Sequence, residues 1–166
     1  ALAYSGNGND GFIKTFTIPA DGSAIELVAQ WEHDTNQATW NSFTQVDSNT
    51  YALAYSGSGN DGYIKTFTIS SDGSNIAVVQ TKEHDANEGQ YNSFIRMDSD
   101  TYLLAYQGYS SDGFIKTFYF DLHYANQEFN LGFFEDDSPL TPDEDLIESS
   151  LYGITLGLGL GDNPNL

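Results

Sequence analysis

Large apolar and small residues alternate with a period of two along much of the chain. In the segment 101–107, Tyr102, Leu104 and Tyr106 fall on one side of an extended backbone. The opposite side is small in the equivalent earlier segment, where Ala52 and Ala54 occupy it. A period of two is the signature of a β-strand. A large face backed by a small face predicts a sheet with another sheet close against it.

The same pattern returns at a fixed step of 51 residues. The sequence Ala-Tyr-Ser-Gly at 3–6 recurs at 54–57, and Ala-Tyr-Gln-Gly stands at 105–108. The copies are residues 1–51, residues 52–102 and a partial copy at 103–120. A period of about 50 residues is typical of stacked supersecondary units.

Two Asp-Gly pairs punctuate each complete repeat and predict tight hairpins. They stand at 10–11 and 21–22 in the first copy and at 61–62 and 72–73 in the second. Four short strands per repeat predict an all-β fold, a β-propeller-type array of four-stranded antiparallel blades. A β-sandwich is the main alternative, but it does not explain an ungapped internal repeat.

The repeats resemble a family of environmental bacterial sequences with tandem units. The motifs that carry the resemblance are Tyr-x-Leu-Ala-Tyr-x-Gly at 51–57, Asp-Gly-x-Ile-Lys-Thr-Phe at 61–67, Glu-His-Asp at 83–85 and Asn-Ser at 92–93. The resemblance covers residues 1–120. It implies a kelch-like or WD40-like propeller and does not specify a ligand.

Residues 121–166 lose the repeat register. We expect a divergent outer strand, an acidic loop, a short helix beginning at Thr141 and a Gly/Leu-rich strand at 152–161, together an atypical C-terminal cap or interface.

The chain supplies two and a half to three blades, whereas closed propellers have four to eight. The expected partners are therefore a second chain that completes the propeller, or missing blades of a longer chain. Because Ala1 falls inside a predicted strand, we expect a processed chain, a fragment or part of a longer array.

The net charge of the chain excludes some classes of binding partner. Five basic against 24 acidic residues give a formal net charge of −19. Such a surface repels nucleic acid and anionic membranes. There is no cysteine, and hence no disulfide or thiolate metal site. Strong acidity suits a soluble protein in a salty medium, and we expect a secreted or cell-surface location.

Aromatic and amide residues gather in and near the loops between a predicted outer strand and the next inner strand, at 34–41 and 85–92. Exposed rings beside amides and carboxylates are the ingredients of a sugar site, with a ring face for stacking and polar groups for hydroxyls. The alternative is that Trp40 and Tyr91 fill the gap between blades. The candidate ligand-binding residues are Trp31, Asp34, Trp40, Asn41, Asp85, Tyr91 and Asn92.

Metal and acid–base chemistry have weaker candidates. Asp10, Asp61 and Asp112 lie in Gly- and Ser-rich loops, but glycines stand where an EF-hand-type calcium loop needs ligands, so a hairpin turn is favoured and no cofactor is expected. The Glu-His-Asp triplets at 32–34 and 83–85 are copied once per repeat, which favours Asp as a loop cap and His as a packing residue. The lysines at the repeated position, Lys14, Lys65 and Lys116, are expected over aromatic rings or beside an acid such as Asp47 or Asp98.

The sequence thus predicts a non-catalytic repeat module for binding or assembly. One alternative is a multivalent carbohydrate-binding lectin, which needs Trp40 and Tyr91 exposed beside a pocket. A second alternative is a glycan-processing enzyme, which needs two carboxylates across one cleft.

Overall fold

The computed structural model describes residues 1–120 and 131–134. The predicted helix at Thr141, the Gly/Leu strand and most of the proposed cap lie outside the described residues. The described chain is all-β and antiparallel, as predicted. Its strands are β1 (Leu2–Ser5), β2 (Gly11–Thr17), β3 (Glu26–Asp34), β4 (Thr39–Gln45), β5 (Thr50–Ser56), β6 (Gly62–Ile69), β7 (Ile76–Asp85), β8 (Gln90–Arg96), β9 (Thr101–Gln107), β10 (Gly113–Phe120) and β11 (Leu131–Phe134). Short 3₁₀ turns span Asn7–Asn9, Ser58–Asn60 and Tyr109–Ser111.

The strands form three sheets in which sequence neighbours pair. The first sheet has the order β1-β2-β3, the second β4-β5-β6-β7 and the third β11-β10-β9-β8. Each complete four-stranded sheet therefore corresponds to one predicted set of four strands. Among the described residues the three sheets do not close into a ring.

The sheets pack through a large face against a small face. Ala52 and Ala54 of the second sheet are fully buried beside Tyr102 and Leu104 of the third. On its other side, the second sheet buries Leu53, Tyr55 and Phe67 with Ile13 of the first sheet. This is the packing that the alternation of large and small residues predicts, because small side chains let the neighbouring sheet approach.

The two Asp-Gly pairs of each complete repeat have different structural roles. Gly22 and Gly73 have φ of +68° and +74°, the left-handed backbone expected of a hairpin glycine. The prediction for Gly11 and Gly62 was wrong, because each is the first residue of a strand and has no positive φ. A Cβ on Gly62 would lie 2.3 Å from the His84 ring, so this glycine is required by the close approach of an imidazole.

Candidate functional site

The junction between the first and second sheets is built around Asp34, the last residue of β3. The Oδ1 atom of Asp34 accepts the backbone N–H groups of Asn36 and Gln37, which caps the loop as predicted. Its Oδ2 accepts the hydroxyl of Tyr55 at 3.0 Å and lies 3.4 Å from the Lys65 ammonium. The acid therefore comes from one sheet, and both the hydroxyl and the cation come from the next.

Charge and hydrogen bonding keep Asp34 ionised. Burial raises its pKa, but the N–H of Asn36, the Tyr55 hydroxyl and the Lys65 ammonium outweigh burial and hold the pKa below its usual value. Burial, together with the negative charge of Asp34, raises the pKa of Tyr55. Tyr55 is therefore a neutral hydrogen-bond donor at physiological pH.

The same junction is repeated 51 residues later. The Tyr106 hydroxyl donates to Asp85 Oδ2 at 2.9 Å. Lys116 donates to the backbone carbonyl of His84 at 2.6 Å, as Lys65 does to the carbonyl of His33. Lys65 and Lys116 also lie over the Tyr55 and Tyr106 rings, at 5.1 and 5.7 Å from the ring centres; these contacts, like that of Lys14 over Tyr4, confirm the prediction of aromatic contact. The acidic partner of Lys65 is Asp34 and not Asp47, whose Oδ1 instead accepts N–H groups of its own turn.

Two buried histidines complete the junctions. The His33 ring packs edge-on to Tyr55 at 5.1 Å, and the His84 ring packs edge-on to Tyr106 at 4.9 Å. Burial, reinforced by the nearby lysine charge, lowers the pKa of His33 to about 4 and of His84 to about 3. Both rings are therefore neutral at pH 7, and within the described residues their nitrogens have no hydrogen-bond partner. This geometry matches packing rather than acid–base catalysis.

An exposed aromatic pair lies where β4 and β8 begin. Trp40 and Tyr91 occupy equivalent positions in the two repeats, and their ring centres are 3.9 Å apart with planes tilted by 38°. The two side chains remain 45% and 53% exposed. They therefore form one accessible aromatic surface, the aromatic pair.

A β-bulge places each member of the aromatic pair. Three steps along β4, from Thr39 to Ser42, oppose two steps along β5, and β8 repeats this irregularity at Tyr91. Trp40 and Tyr91 have φ of +54° and +52°. Bulky side chains rarely adopt this left-handed backbone, which costs about 1–3 kcal/mol per residue. Strained, bulged positions are frequent beside functional sites.

The neighbouring asparagines hold the bulges. The Asn41 amide donates to the Ala38 carbonyl at 2.8 Å, and the Asn92 amide donates to the Gly89 carbonyl at 2.9 Å. Asn92 also donates to the Trp40 carbonyl at 3.4 Å, which links the two repeats. The amide oxygens of Asn41 and Asn92 are buried and have no partner among the described residues.

The predicted ligand-binding residues thus fall into two groups. Trp40 and Tyr91, with their asparagines, gather at the aromatic pair, whereas Asp34 and Asp85 belong to the junctions. Trp31 is half-buried and packs edge-on against Phe67 of the second sheet at 5.7 Å. A shallow depression of about 360 Å³ adjoins Tyr91 and is lined by residues of β9 and β10, including Ala105, Gln107, Gly113 and Phe114.

The calcium candidates lie in turns. The carbonyls of Asp10, Asp61 and Asp112 accept the N–H groups of Gly6, Gly57 and Gly108, which closes each β-turn loop. In the described part of the chain, no three His, Asp or Glu side chains converge as metal ligands would.

Sequence reasoning missed the roles of Tyr55 and Tyr106 as donors to the junction carboxylates. The available signal was that Tyr, Lys and Asp recur at one spacing in successive repeats, which favours an inter-repeat contact over three separate features.

Compared with protein-family models and with curated proteins, the chain gives no match. The resemblance to the tandem-repeat family therefore stays a prediction. Within the described ranges no helix has the length and apolar character needed to cross a bilayer.

Proposed function

We propose that this chain is a non-catalytic repeat module for binding or assembly, with its sheets arranged as the blades of a β-propeller. The support for the arrangement is that β4, β5, β6 and β7 follow one another in space as in sequence, as do the strands of the third sheet. In addition, β4 contacts β8, so the leading strands of the second and third sheets lie side by side, and the contact of β1 with β4 is equivalent to that of β5 with β8. Neighbouring leading strands around an axis are the arrangement of propeller blades.

The observation that carries the binding role is the strained, exposed aromatic pair. A backbone cost of about 1–3 kcal/mol at each of two equivalent positions persists only where the surroundings enforce it. The cost here holds two large rings in water, where they contribute little to the core. A surface that is held rigid and apolar at a cost in stability is suited to recognition of a ligand with an apolar face.

Carbohydrate is the second, more specific candidate function. Sugar rings stack on aromatic faces, and hydroxyls bond to amides. The aromatic pair offers a broad ring surface contributed by two repeats, whereas the Asn41 and Asn92 amides beside it hold the bulges and have buried oxygens. This surface fits a lectin that binds one extended glycan across two sheets rather than two separate sugars.

The carboxylates favour binding over glycan hydrolysis. A glycosidase needs one carboxylic acid with a raised pKa and a second carboxylate about 5–9.5 Å away. The pKa values of Asp34 and Asp85 are both lowered, because their hydrogen-bond donors and lysines outweigh the opposing effect of burial. Neither residue would hold a proton to donate at neutral pH.

The test is a glycan-array screen followed by titration of bound glycans, with Trp40→Ala and Tyr91→Ala as variants. We expect each variant to lose at least tenfold in affinity, roughly the loss at a binding hot spot. Tyr109→Ala is the matched control, because Tyr109 is more exposed than either ring and lies outside the aromatic pair. Absence of binding to any glycan, with no thermal shift, would overturn the lectin candidate, and turnover of a bound glycan would overturn the non-catalytic role.

A secreted or cell-surface location belongs to the same proposal. Its support is the net charge of −19, which keeps a protein soluble in media rich in cations.

A further inference from the structure

None of the lysine and arginine side chains of this chain covers the aromatic pair. Those residues are Lys14, Lys65, Lys82, Arg96 and Lys116, and all five lie in the part of the chain that the structure describes. The three lysines at the repeated position lie over tyrosine rings of their own sheets. Arg96 lies over the Tyr102 ring at 6.0 Å and donates to two backbone carbonyls of the turn after β8. Lys82 is on β7, at the opposite edge of the second sheet from the strand that carries Trp40.

The rest of this chain supplies no such cation either. The ranges 121–130 and 135–166 contain no lysine or arginine, and they contain ten of the 24 acidic residues. The formal net charge of −19 therefore acts on a ligand at the aromatic pair without an opposing lysine or arginine over the rings. An anionic ligand would meet two aromatic faces and a negative potential.

The rings of the aromatic pair themselves favour a cation. The face of an aromatic ring is negative and attracts an ammonium group within about 6 Å, tryptophan most strongly. Cations of this chain already make that contact inside the molecule, as Lys65 does at 5.1 Å from the centre of the Tyr55 ring. Trp40 and Tyr91 are 45% and 53% exposed, so they offer the same kind of face to a cation from outside.

We propose that the aromatic pair is selective for positive charge, and that its ligand is a glycan with free amino groups. The sugar rings lie on Trp40 and Tyr91, and a protonated amine of the glycan lies over one of the two aromatic rings. The inference rests on the proposed glycan-binding function of this pair and adds the charge of the ligand. Glycans with sulfate or carboxylate groups are rejected, because no lysine or arginine of this chain covers the rings.

Three trisaccharides that differ only at the sugar nitrogen test this selectivity by calorimetric titration. The glucosamine trisaccharide carries ammonium groups, its N-acetyl form is neutral and its N-sulfate form is anionic. At about pH 6.5 the amines are mostly protonated, because an amine beside an electron-withdrawing carbon has a pKa of about 7.7. In about 0.15 M salt we expect the amine form to bind about tenfold more tightly than the acetyl form. The sulfate form is expected to bind about tenfold more weakly than the acetyl form.

The ratio of the amine and acetyl affinities separates a ring contact from general attraction to an acidic surface. Trp40→Leu keeps an apolar side chain and removes the aromatic face, so the preference for the amine form should fall below about threefold. Tyr109→Leu is the matched control, because Tyr109 is 70% exposed and lies outside the aromatic pair. This control should keep the tenfold preference, and circular dichroism checks that both variants retain their sheets.

Tryptophan fluorescence locates the bound ligand. The chain has two tryptophans, and Trp31→Phe leaves Trp40 as the single reporter. We expect the amine trisaccharide to change the emission of Trp40 at the same concentrations at which calorimetry detects binding. Binding without any change in this emission would overturn the inference.

The other contradicting outcomes separate this inference from the lectin proposal. Acetyl trisaccharide that binds at least as tightly as the amine form would overturn the charge selectivity and leave the lectin standing. A preference that Trp40→Leu leaves unchanged would also overturn it, because the acidic surface as a whole would then be its source. A lysine-rich peptide that binds at the aromatic pair where the amine trisaccharide does not would overturn the glycan as ligand. Failure of all three trisaccharides, together with a silent glycan array, would overturn the lectin itself.

Discussion

The first and second sheets have nearly the same sequence in two equivalent strands, β1 and β2 of the first sheet and β5 and β6 of the second, and very different surroundings. The second sheet is covered on both faces, and Ile64, Thr66 and Phe67 are all buried. The first sheet is covered on one face only, so Ile13 is buried while Phe12 and Phe16 are half-exposed. The comparison teaches that in a repeat protein the burial of a residue depends on its neighbouring unit, and its own repeat supplies only the matching surface.

Acidification is expected to have the largest effect on the free energy of unfolding, because it acts on both junctions that cover the second sheet. An unfolded His binds a proton near pH 6.5, whereas His33 and His84 do so only near pH 4 and 3. The unfolded state therefore binds more protons between these values, and the free energy of unfolding falls as the pH drops below 6.5. By pH 5 the loss is about 2 kcal/mol per histidine, or about 4 kcal/mol together.

Urea denaturation at pH 7 and pH 5 measures this loss. Asp34 and Asp85 contribute little in that window, because their pKa values lie below 3.8 and their stabilisation is lost only at lower pH. Ring NMR signals give an independent check, with a His123→Gln variant to remove the third histidine. Titration of both remaining rings near pH 6.5 would contradict the buried junctions.

The second largest effect on the free energy of unfolding is expected for a matched pair of leucines, one in each sheet. Leu53→Ala removes a fully buried side chain and should cost about 3 kcal/mol of unfolding free energy. Leu2→Ala, at the equivalent half-exposed position, should cost less than about 0.5 kcal/mol. Chemical denaturation of both variants measures the difference, and equal losses would break the comparison.

The smallest effect is expected when an equivalent threonine hydroxyl is removed from each sheet. The change in the free energy of unfolding should have opposite signs in the two sheets. The Thr15 hydroxyl donates to the Gly73 carbonyl at 2.7 Å and accepts the Ala29 N–H. The buried Thr66 hydroxyl has no partner among the described residues. Thr15→Val should therefore destabilise by about 1 kcal/mol, whereas Thr66→Val should stabilise by up to about 1 kcal/mol. Thermal unfolding of the two variants resolves the sign, and loss of stability in Thr66→Val would show that its hydroxyl has a partner.

Features set by local chemistry could be predicted from the sequence. The alternation of large and small residues gave the strands and their two faces, and Gly22 and Gly73 adopt the hairpin backbone that Asp-Gly pairs favour. The loop caps by Asp34 and Asp85 also follow from the preference of Asp for accepting nearby N–H groups.

Features set between sheets could not be predicted in the same way. An Asp-Gly pair is equally compatible with a turn and with a strand that begins beneath an imidazole, so Gly62 was misassigned. The link from Lys65 to Asp34 spans two sheets, and many acids compete for the same cation in the sequence. The contact between Trp40 and Tyr91 depends on bulges with a backbone that aromatic residues normally avoid, so no propensity could indicate it.

The direction of each junction has a consequence for how such a chain can lengthen. In both described junctions the aspartate comes from the earlier sheet and the tyrosine from the later one, which also supplies the lysine that donates to the neighbouring histidine carbonyl. A duplicated stretch of 51 residues would carry one donor half and one acceptor half, in the correct order at both of its ends. Gene duplication could thus insert a unit anywhere in the series without a compensating substitution. A unit that presented its two faces in the reverse order would place a carboxylate opposite a carboxylate.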